Sequence, residues 1–539
     1  MIWPRRFLSN PQLPLSLLLA ASAGVLYLPL ARYPFVQDDW PLLDSFLFRP
    51  ASTTILNILT PVGKLFYRPL GQLYCFAVYS IFGLNPAGFH LLAVLGLLAT
   101  ALFVVHLARQ ATGDSMLAWG SGILYVGAAN VLLDTQMWLV GIFDIGAGMF
   151  SVLSVLYALR SRYALSALFF ALAIPFKEGA AVILFVLFAW EIIGGQLGAS
   201  PVIAARLLLD RYRWHAIALA AFILAKTFGI QLYAFANDHP YVMRFAGRHI
   251  RDNLQSYLLW GLQAVIPAKN ITFSESASLA VLTAACVVVV LIFFGTVRVA
   301  RKAGADLLPH LRLVLVLAFW FLLSLLPSIL LPHHINRYYL TSGLPPLVIL
   351  SMMALKGAFV SAQANSPLRW LLCVAFVGAN VIDGGVMIER RISLGIREGV
   401  HASSRDGDNH FIRKATWVSD TWKPLLATLP SIPSHAILVL DGIQSGSFAD
   451  QFGPRVWYRD STIQVTDKLP EGPDSTGLYT VTLPQMDPWM EPAKMNIVTV
   501  PADRLIVIHY ADGKMERIAL DTLRKVPSSG VGSSTGSPR

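Results

Sequence analysis

Two adjacent carboxylates, Asp38 and Asp39, follow the first long apolar run in the order Phe35, Val36, Gln37, Asp38, Asp39, Trp40, Pro41. Beside an aromatic ring at the end of an apolar segment, such a pair offers either a general base for a hydroxyl group or oxygen ligands for a divalent cation. A solvated acidic turn before Pro41 reads the same way, and only context separates the two. Cationic candidates lie further along. Lys64 and Arg68 are one turn apart if their segment is helical, and Arg244, Arg248 and Arg251 would share one helix face. Arg337 stands in a short turn with His333, His334 and Tyr338. Arginine donates through a planar fork that matches phosphate oxygens, so a tight turn carrying it is a good anion site. The competing readings are ordinary headgroup contacts for the arginine stripe and an interfacial anchor for Arg337. Asp144 and Lys226 fall inside apolar runs, where a charge is costly unless paired or facing water. Lys177 and Glu178 sit at the boundary of another run, in positions that could orient a loop. His90 and His106 lack metal-ligand spacing and read as polar helix contacts.

The elements that must position these residues belong to a membrane scaffold. Of 539 residues, 55% are hydrophobic and 14% charged, against about 25% charged in soluble domains. Apolar runs near 13–31, 88–108, 115–133, 139–159, 163–176, 179–195, 214–233, 277–297, 313–331, 339–355 and 370–388 approach the ~20 residues that cross a hydrocarbon core as a helix. That predicts an all-α polytopic membrane protein with about eleven transmembrane helices. The short aromatic segment 69–82 reads as an external amphipathic helix, with a twelfth span as the alternative. The first run continues into Arg32, Tyr33 and Pro34 without a small-residue cleavage site, so it is expected to be a span.

Orientation follows from the short loops. Arg5, Arg6, Arg109, Arg160, Arg162, Arg206, Arg211, Arg213, Arg298, Arg301, Lys302 and Arg312 fall on one side, which the positive-inside rule makes cytoplasmic. Residues 32–87, 234–276, 332–338 and the tail from Glu389 are then external. Short β-rich runs at 437–440, 477–483, 496–500 and 504–509 predict a small C-terminal extracytoplasmic domain, α/β or mainly β. The expected organisation is a multi-pass domain over 1–388, a soluble domain over 389–526 and a disordered Gly- and Ser-rich tail over 527–539. The net charge of +11 is spread between apolar runs, so topology explains it and nucleic acid is not an expected partner. Cys75, Cys286 and Cys373 lie in apolar stretches without CxxC spacing, which argues against disulfides and zinc.

Lys64, Tyr67, Arg68 and Pro69, followed by Gly83, Leu84, Asn85, Pro86, Gly88, Phe89 and His90, resemble a pattern in the GT-C superfamily of membrane glycosyltransferases. The likeness is to the protein O-mannosyltransferase-like branch, with its Arg-Pro-Leu helix and Gly-Leu-Asn-Pro turn. Trp138, Gly141 and Asp144 are similar to a Trp-x-x-Gly-x-x-Asp pattern in the O-mannosyltransferases that carry tetratricopeptide repeats, and Lys177 and Glu178 to a Lys-Glu pair there. Asn336, Arg337, Tyr338 and Tyr339 resemble the Glu-Arg-Tyr-Leu signature, with Asn336 in place of the acidic residue. The resemblance covers roughly residues 10–390. Tetratricopeptide repeats are not seen, so those relatives do not name the acceptor.

This resemblance implies a hexosyltransferase that moves a sugar from a polyprenyl-phosphate donor to an extracytoplasmic acceptor, usually with inversion. It places the base at Asp38, the first member of the acidic pair, with Asp39 orienting it. Lys64, Arg68, Asp144, Arg244, Arg248, His333, His334, Arg337 and Tyr338 make up the expected substrate-binding set, and a divalent cation at Asp38 and Asp39 remains an open alternative. Partners are then membrane lipids, the donor and an acceptor that the sequence leaves unnamed. The residues fit that chemistry on their own terms, because a lipid phosphate gaining negative charge as it leaves needs cationic donors. A lipid or solute transporter would also use many spans with intramembrane charges, but the inverted repeats and paired broken helices common in transporters are not evident. A lipid-linked glycan polymerase or ligase shares the donor logic. The absence of eukaryotic retention signals points to a bacterial inner membrane.

Overall fold

The computed structural model describes residues 12–62, 66–193, 201–229, 241–271, 279–283, 286, 290, 308–358, 367–398, 410–442, 448–484, 495–511 and 514–523. The chain forms two compact units, one of Met1–Tyr33 with Ala51–Arg413 and the other of Pro34–Pro50 with Lys414–Arg539. Arg5, Arg6, Lys64, the basic residues at 298–302, the tail at 527–539 and most of the run at 277–297 lie outside the described residues.

In chain order the helices are α1 (Gln12–Tyr27), α2 (Asp39–Phe48, in the second unit), α3 (Ala51–Leu59), α4 (Pro69–Phe82), α5 (Pro86–Thr112), α6 (Ser115–Gly127), α7 (Ala129–Met137), α8 (Ile142–Leu159), α9 (Tyr163–Ala173), α10 (Val182–Ile193), α11 (Pro201–Gly229), α12 (Arg248–Val265), α13 (Leu308–Ile329), α14 (Leu344–Ala358), α15 (Pro367–Glu398) and α16 (His410–Thr428). Among the described residues, five helical stretches are long and apolar enough to cross a membrane, six if the bent pair α6 and α7 forms one span. The first unit is therefore a multi-pass membrane domain. α4, α9 and α14 are apolar but shorter. The runs read as spans 163–176 and 179–195 become α9 and α10, with 11 and 12 described residues, α10 being led in by a 3-10 turn at Glu178–Ala181.

Local chemistry sets the helix ends. Asn85 caps α5 by accepting from the Ala87 N–H, Pro86 occupies the first turn, and Gly113 closes the helix in the left-handed region at φ +70°. Asp114 caps α6 by accepting from the Met116 and Leu117 N–H groups, and Lys356 pairs with it at 2.6 Å. α6 packs against α1, α5, α14 and α15, and α8 against α5 and α9. Both helices are apolar on nearly all sides, as central helices must be.

Between α6 and α7 the chain bends by 55°, which the sequence pattern did not anticipate. Beyond the bend, α7 carries buried Asn130, Asp134, Thr135 and Gln136. Such groups must find partners, and the bent segment provides some: Asn130 donates to the Trp260 carbonyl, and Asp134 lies 3.9 Å from Arg391.

The second unit is α/β. Its strands are β1 (Ile437–Asp441), β2 (Gln464–Thr466), β3 (Tyr479–Pro484), β4 (Met495–Val500), β5 (Leu505–Ala511) and β6 (Lys514–Ile518). Four form a sheet in the order β2-β1-β5-β6, with β2, β1 and β5 parallel and β6 antiparallel, while β3 and β4 pair separately. Ile437, Val439, Leu505 and Val507 meet Tyr479, Val481, Leu483 and Val500 in the core between them. Helix α17 (Phe448–Tyr458) links β1 to β2 and packs on α2. A short α18 (Leu520–Leu523) follows β6. The boundary expected at 388 falls inside α15, which runs unbroken to Glu398.

Candidate functional site

Segments far apart in sequence bring charge and aromatic surface together in the first unit. Lys177, between α9 and α10, places Nζ 2.5 Å from Asp144 Oδ1 on the first turn of α8. The same ammonium lies 5.2 and 4.9 Å from the ring centres of Tyr338 and Tyr339, within cation–π range. Arg68, immediately before α4, donates Nε and Nη2 to the two oxygens of Glu178 at 2.9 and 2.8 Å, a fork-to-fork geometry. Trp138 meets the Tyr338 ring edge-on. His334 shares a 3.2 Å hydrogen bond with the Tyr338 hydroxyl, and its ring lies against Tyr241. Arg337 opens the 3-10 turn Arg337–Ser342, is buried, and holds its guanidinium 5.1 Å from the Trp260 ring centre.

Two glycines permit this close approach. A Cβ on Gly141 would run into the Thr135 carbonyl oxygen, and one on Gly146 would enter the Phe176 ring. Bare backbone at those points lets the chain fold back before α8 and lets the Phe176 and Lys177 segment settle onto it.

Arg68 pairs with Glu178 and Lys177 with Asp144, and Arg337 follows in sequence immediately before the Tyr338 and Tyr339 rings that face the Lys177 ammonium. Burial alone would raise the Glu178 carboxyl, yet Arg68 beside it, helped by Lys226, holds it well below the usual range. Burial lowers the Lys177 ammonium below its ordinary value, with Asp144 opposing the fall and Arg68 adding to it. Low-dielectric aromatic walls strengthen each of these interactions. An incoming anion would therefore find donors already held in place, with the carboxylates as its competitors.

The carboxylate pair belongs to the second unit. Asp39 is buried and accepts from the Val36 N–H at 2.9 Å, while its own N–H and that of Trp40 bond back to the Val36 and Gln37 carbonyls. Gln37 sits at φ +51°, a left-handed conformation unusual for a residue other than Gly, Asn or Asp. Asp38 is half-exposed at the N-terminus of α2 and makes no capping bond there. One carboxylate is thus committed to backbone and the other is reachable from solvent. Among the described residues no three His, Cys, Asp or Glu side chains gather as a metal site.

No family model and no curated protein matches this chain. Solved structures of low similarity do. The Archaeoglobus fulgidus oligosaccharyltransferase in its apo form is 11% identical with a TM-score of 0.45, over 85% of this chain and 64% of that one. The same organism's oligosaccharyltransferase AglB, in complex with an inhibitory peptide and a dolichol-phosphate, is 13% identical with a TM-score of 0.46, over 87% and 66%. ArnT from Cupriavidus metallidurans bound to undecaprenyl phosphate is 13% identical with a TM-score of 0.44, over 85% and 86%. The chain thus spans less than two thirds of the archaeal enzymes' length. Similarity at this level assigns neither a family nor an activity.

Lys64 lies outside the described residues, and Arg68 precedes its helix with its guanidinium on Glu178. Arg244 also precedes its helix. Only Arg248 and Arg251 are on α12, and both pair with Asp252, at 3.4 and 2.9 Å. Half-buried Asp252 partly neutralises the stripe. His333 is exposed. His90 is buried, with its ring nitrogens on the Gln136 and Tyr33 carbonyls. Sequence reasoning saw Lys177, Glu178, Asp144 and Arg68 but not their pairing, and it missed Trp260 and Tyr241. Pairs separated by 33 and 110 residues leave no spacing signal.

Proposed function

We propose that this protein is a GT-C-type membrane glycosyltransferase that moves a hexosyl group from a polyprenyl-phosphate donor to an extracytoplasmic acceptor. The observation that supports it best is the pair of cations Arg68 and Lys177, held by Glu178 and Asp144 beside the Tyr338 and Tyr339 rings, with buried Arg337 opening the same turn. In this reading those donors hold the lipid phosphate. As the bond from the anomeric carbon to the phosphate oxygen breaks, charge collects on the phosphate, where pre-placed cationic donors act most strongly. The acceptor oxygen bonds to the anomeric carbon from the opposite face and gives its proton to Asp38, so the sugar leaves inverted and the carrier departs as polyprenyl phosphate. Asp39 keeps the turn in shape. Tyr338 and His334 line the donor site, and His333, Arg244, Arg248 and Lys64 act at its approach. The setting is a bacterial inner membrane with the N-terminus cytoplasmic and the C-terminal unit outside.

The decisive experiment incubates purified protein with a panel of radiolabelled polyprenyl-phosphate sugars and membrane extracts. Label in a new product is the expected result, with no transfer from any donor as the contrary one. The bend between α6 and α7, with polar Asn130, Asp134 and Gln136 buried beyond it, favours a second reading as a transporter, since broken spans commonly line transport sites. Flipping of a labelled lipid in proteoliposomes without product would select that reading.

A further inference from the structure

We propose that the C-terminal α/β domain is a positioning element for the carboxylate turn, acting through Trp457 and Arg455 of α17 on Trp40 and Asp44 of α2. The inference rests on the reading of Asp38 as the base. Residues 34–50 form one compact unit with the chain after 414, although more than 350 residues intervene. Trp40 is buried, with its ring edge-on to Trp457 at 5.3 Å, and Trp457 in turn packs on Trp422 at 4.0 Å. Phe35 meets Trp40 from the other side of the turn at 6.0 Å. One turn further along α2, Arg455 Nε lies 3.1 Å from Asp44 Oδ1, and its guanidinium covers the Phe48 ring at 5.7 Å.

Helix α2 is therefore held at two points a turn apart, which fixes both its rotation and its height on α17. Asp38 and Asp39 are at its first turn, so these two points set where the Asp38 carboxylate stands. The turn needs such support. Gln37 at φ +51° is a conformation that persists only where the surroundings over-determine it. A helix that merely covered apolar surface would need neither a half-buried ion pair nor a strained lead-in. A carboxylate that must meet a hydroxyl within hydrogen-bond reach does need a fixed base.

Hydrogen exchange and kinetics on the full chain in nanodiscs test this, using Arg455→Met, Trp457→Phe and, as a reference, Asp38→Asn. Amides 36–40 should exchange at least tenfold faster in the first two variants, while strands β1 and β5 keep their protection. Turnover with a labelled polyprenyl-phosphate sugar should fall about tenfold with donor KM unchanged, and Arg455→Lys should recover part of it. Unchanged exchange at 36–40, faster exchange with full turnover, or loss of protection in β1 and β5 together with the turn would each overturn the positioning role. Full turnover in Asp38→Asn would instead remove the base reading, while the exchange result would still report whether α17 holds the turn.

Discussion

Lys177 shows how one side chain can carry a site and endanger the fold. Its side chain is 15% exposed and that of Asp144 only 7%, so neither charge is well solvated. Removing one partner of such a pair leaves the other uncompensated, at a cost of about 3–5 kcal/mol. Lys177→Met should therefore show a strongly lowered yield of monodisperse protein. Combining it with Asp144→Asn should restore yield while donor affinity stays lost, and a double variant that binds donor normally would take Lys177 out of the site. Arg337→Lys keeps the charge and loses the fork, so donor affinity should fall by about 1.5–3 kcal/mol. Titration with a labelled polyprenyl-phosphate sugar reads this, and unchanged affinity would return Arg337 to an anchoring role. For the base, Asp38→Asn should lower turnover by about 10²-fold or more with donor binding intact.

Helices are the scale at which the sequence is easiest to read and tertiary contacts hardest. Runs such as Pro86–Thr112 and Leu139–Leu159 announce themselves because an apolar stretch of that length has few other uses. The bend at Ala128 does not, since it depends on partners for Asn130 and Asp134 that come from α12 and α15. β1, β3, β4 and β5 stand out by β-branched residues, whereas three-residue β2 and the charged run Lys514–Ile518 carry no usable period. Docking of α2 on α17 was likewise invisible, yet it has a measurable consequence. Burial raises the Asp44 carboxyl to about 6 from an ordinary 3.8, against the pull of Arg455 and Arg49. The folded state thus binds that proton more tightly than the unfolded chain. Its contribution is fully present below about pH 4 and is lost as pH rises through about 6, amounting to about 3 kcal/mol for a shift near two units. Tryptophan-fluorescence unfolding between pH 4 and 7 should show that decline in the wild type and a flatter profile in Asp44→Asn. An identical slope in both would mean that Asp44 ionises as freely in the fold as in the open chain.

Across the whole first unit, charge is sorted along the helix axes, and this sorting makes orientation testable. α8 begins beside Asp144 in the aromatic cluster and ends at Leu159, after which Arg160 bonds Gln110 near the end of α5. At that same far end Arg211 pairs with Glu191 and Arg312 donates to the Ile193 carbonyl, both on the last turns of α10. The basic links therefore gather at the helix ends opposite the candidate site. Lipid bilayers sort such loops to the cytoplasm, so the site end should face outward. α15 gives an independent check. Its later residues Asp383 and Arg391 bond to Lys269, beyond the end of α12, and approach Asp134 of α7, the helix that packs on the Arg337–Ser342 turn. The chain leaving α15 should then emerge on the outer side. A reporter fused after Arg109 should read cytoplasm and one fused after Ser393 should read outside. If both report the same compartment, the cluster of Arg68, Lys177 and Arg337 would lie beyond reach of an extracytoplasmic acceptor, and the transferase reading would fail with the topology.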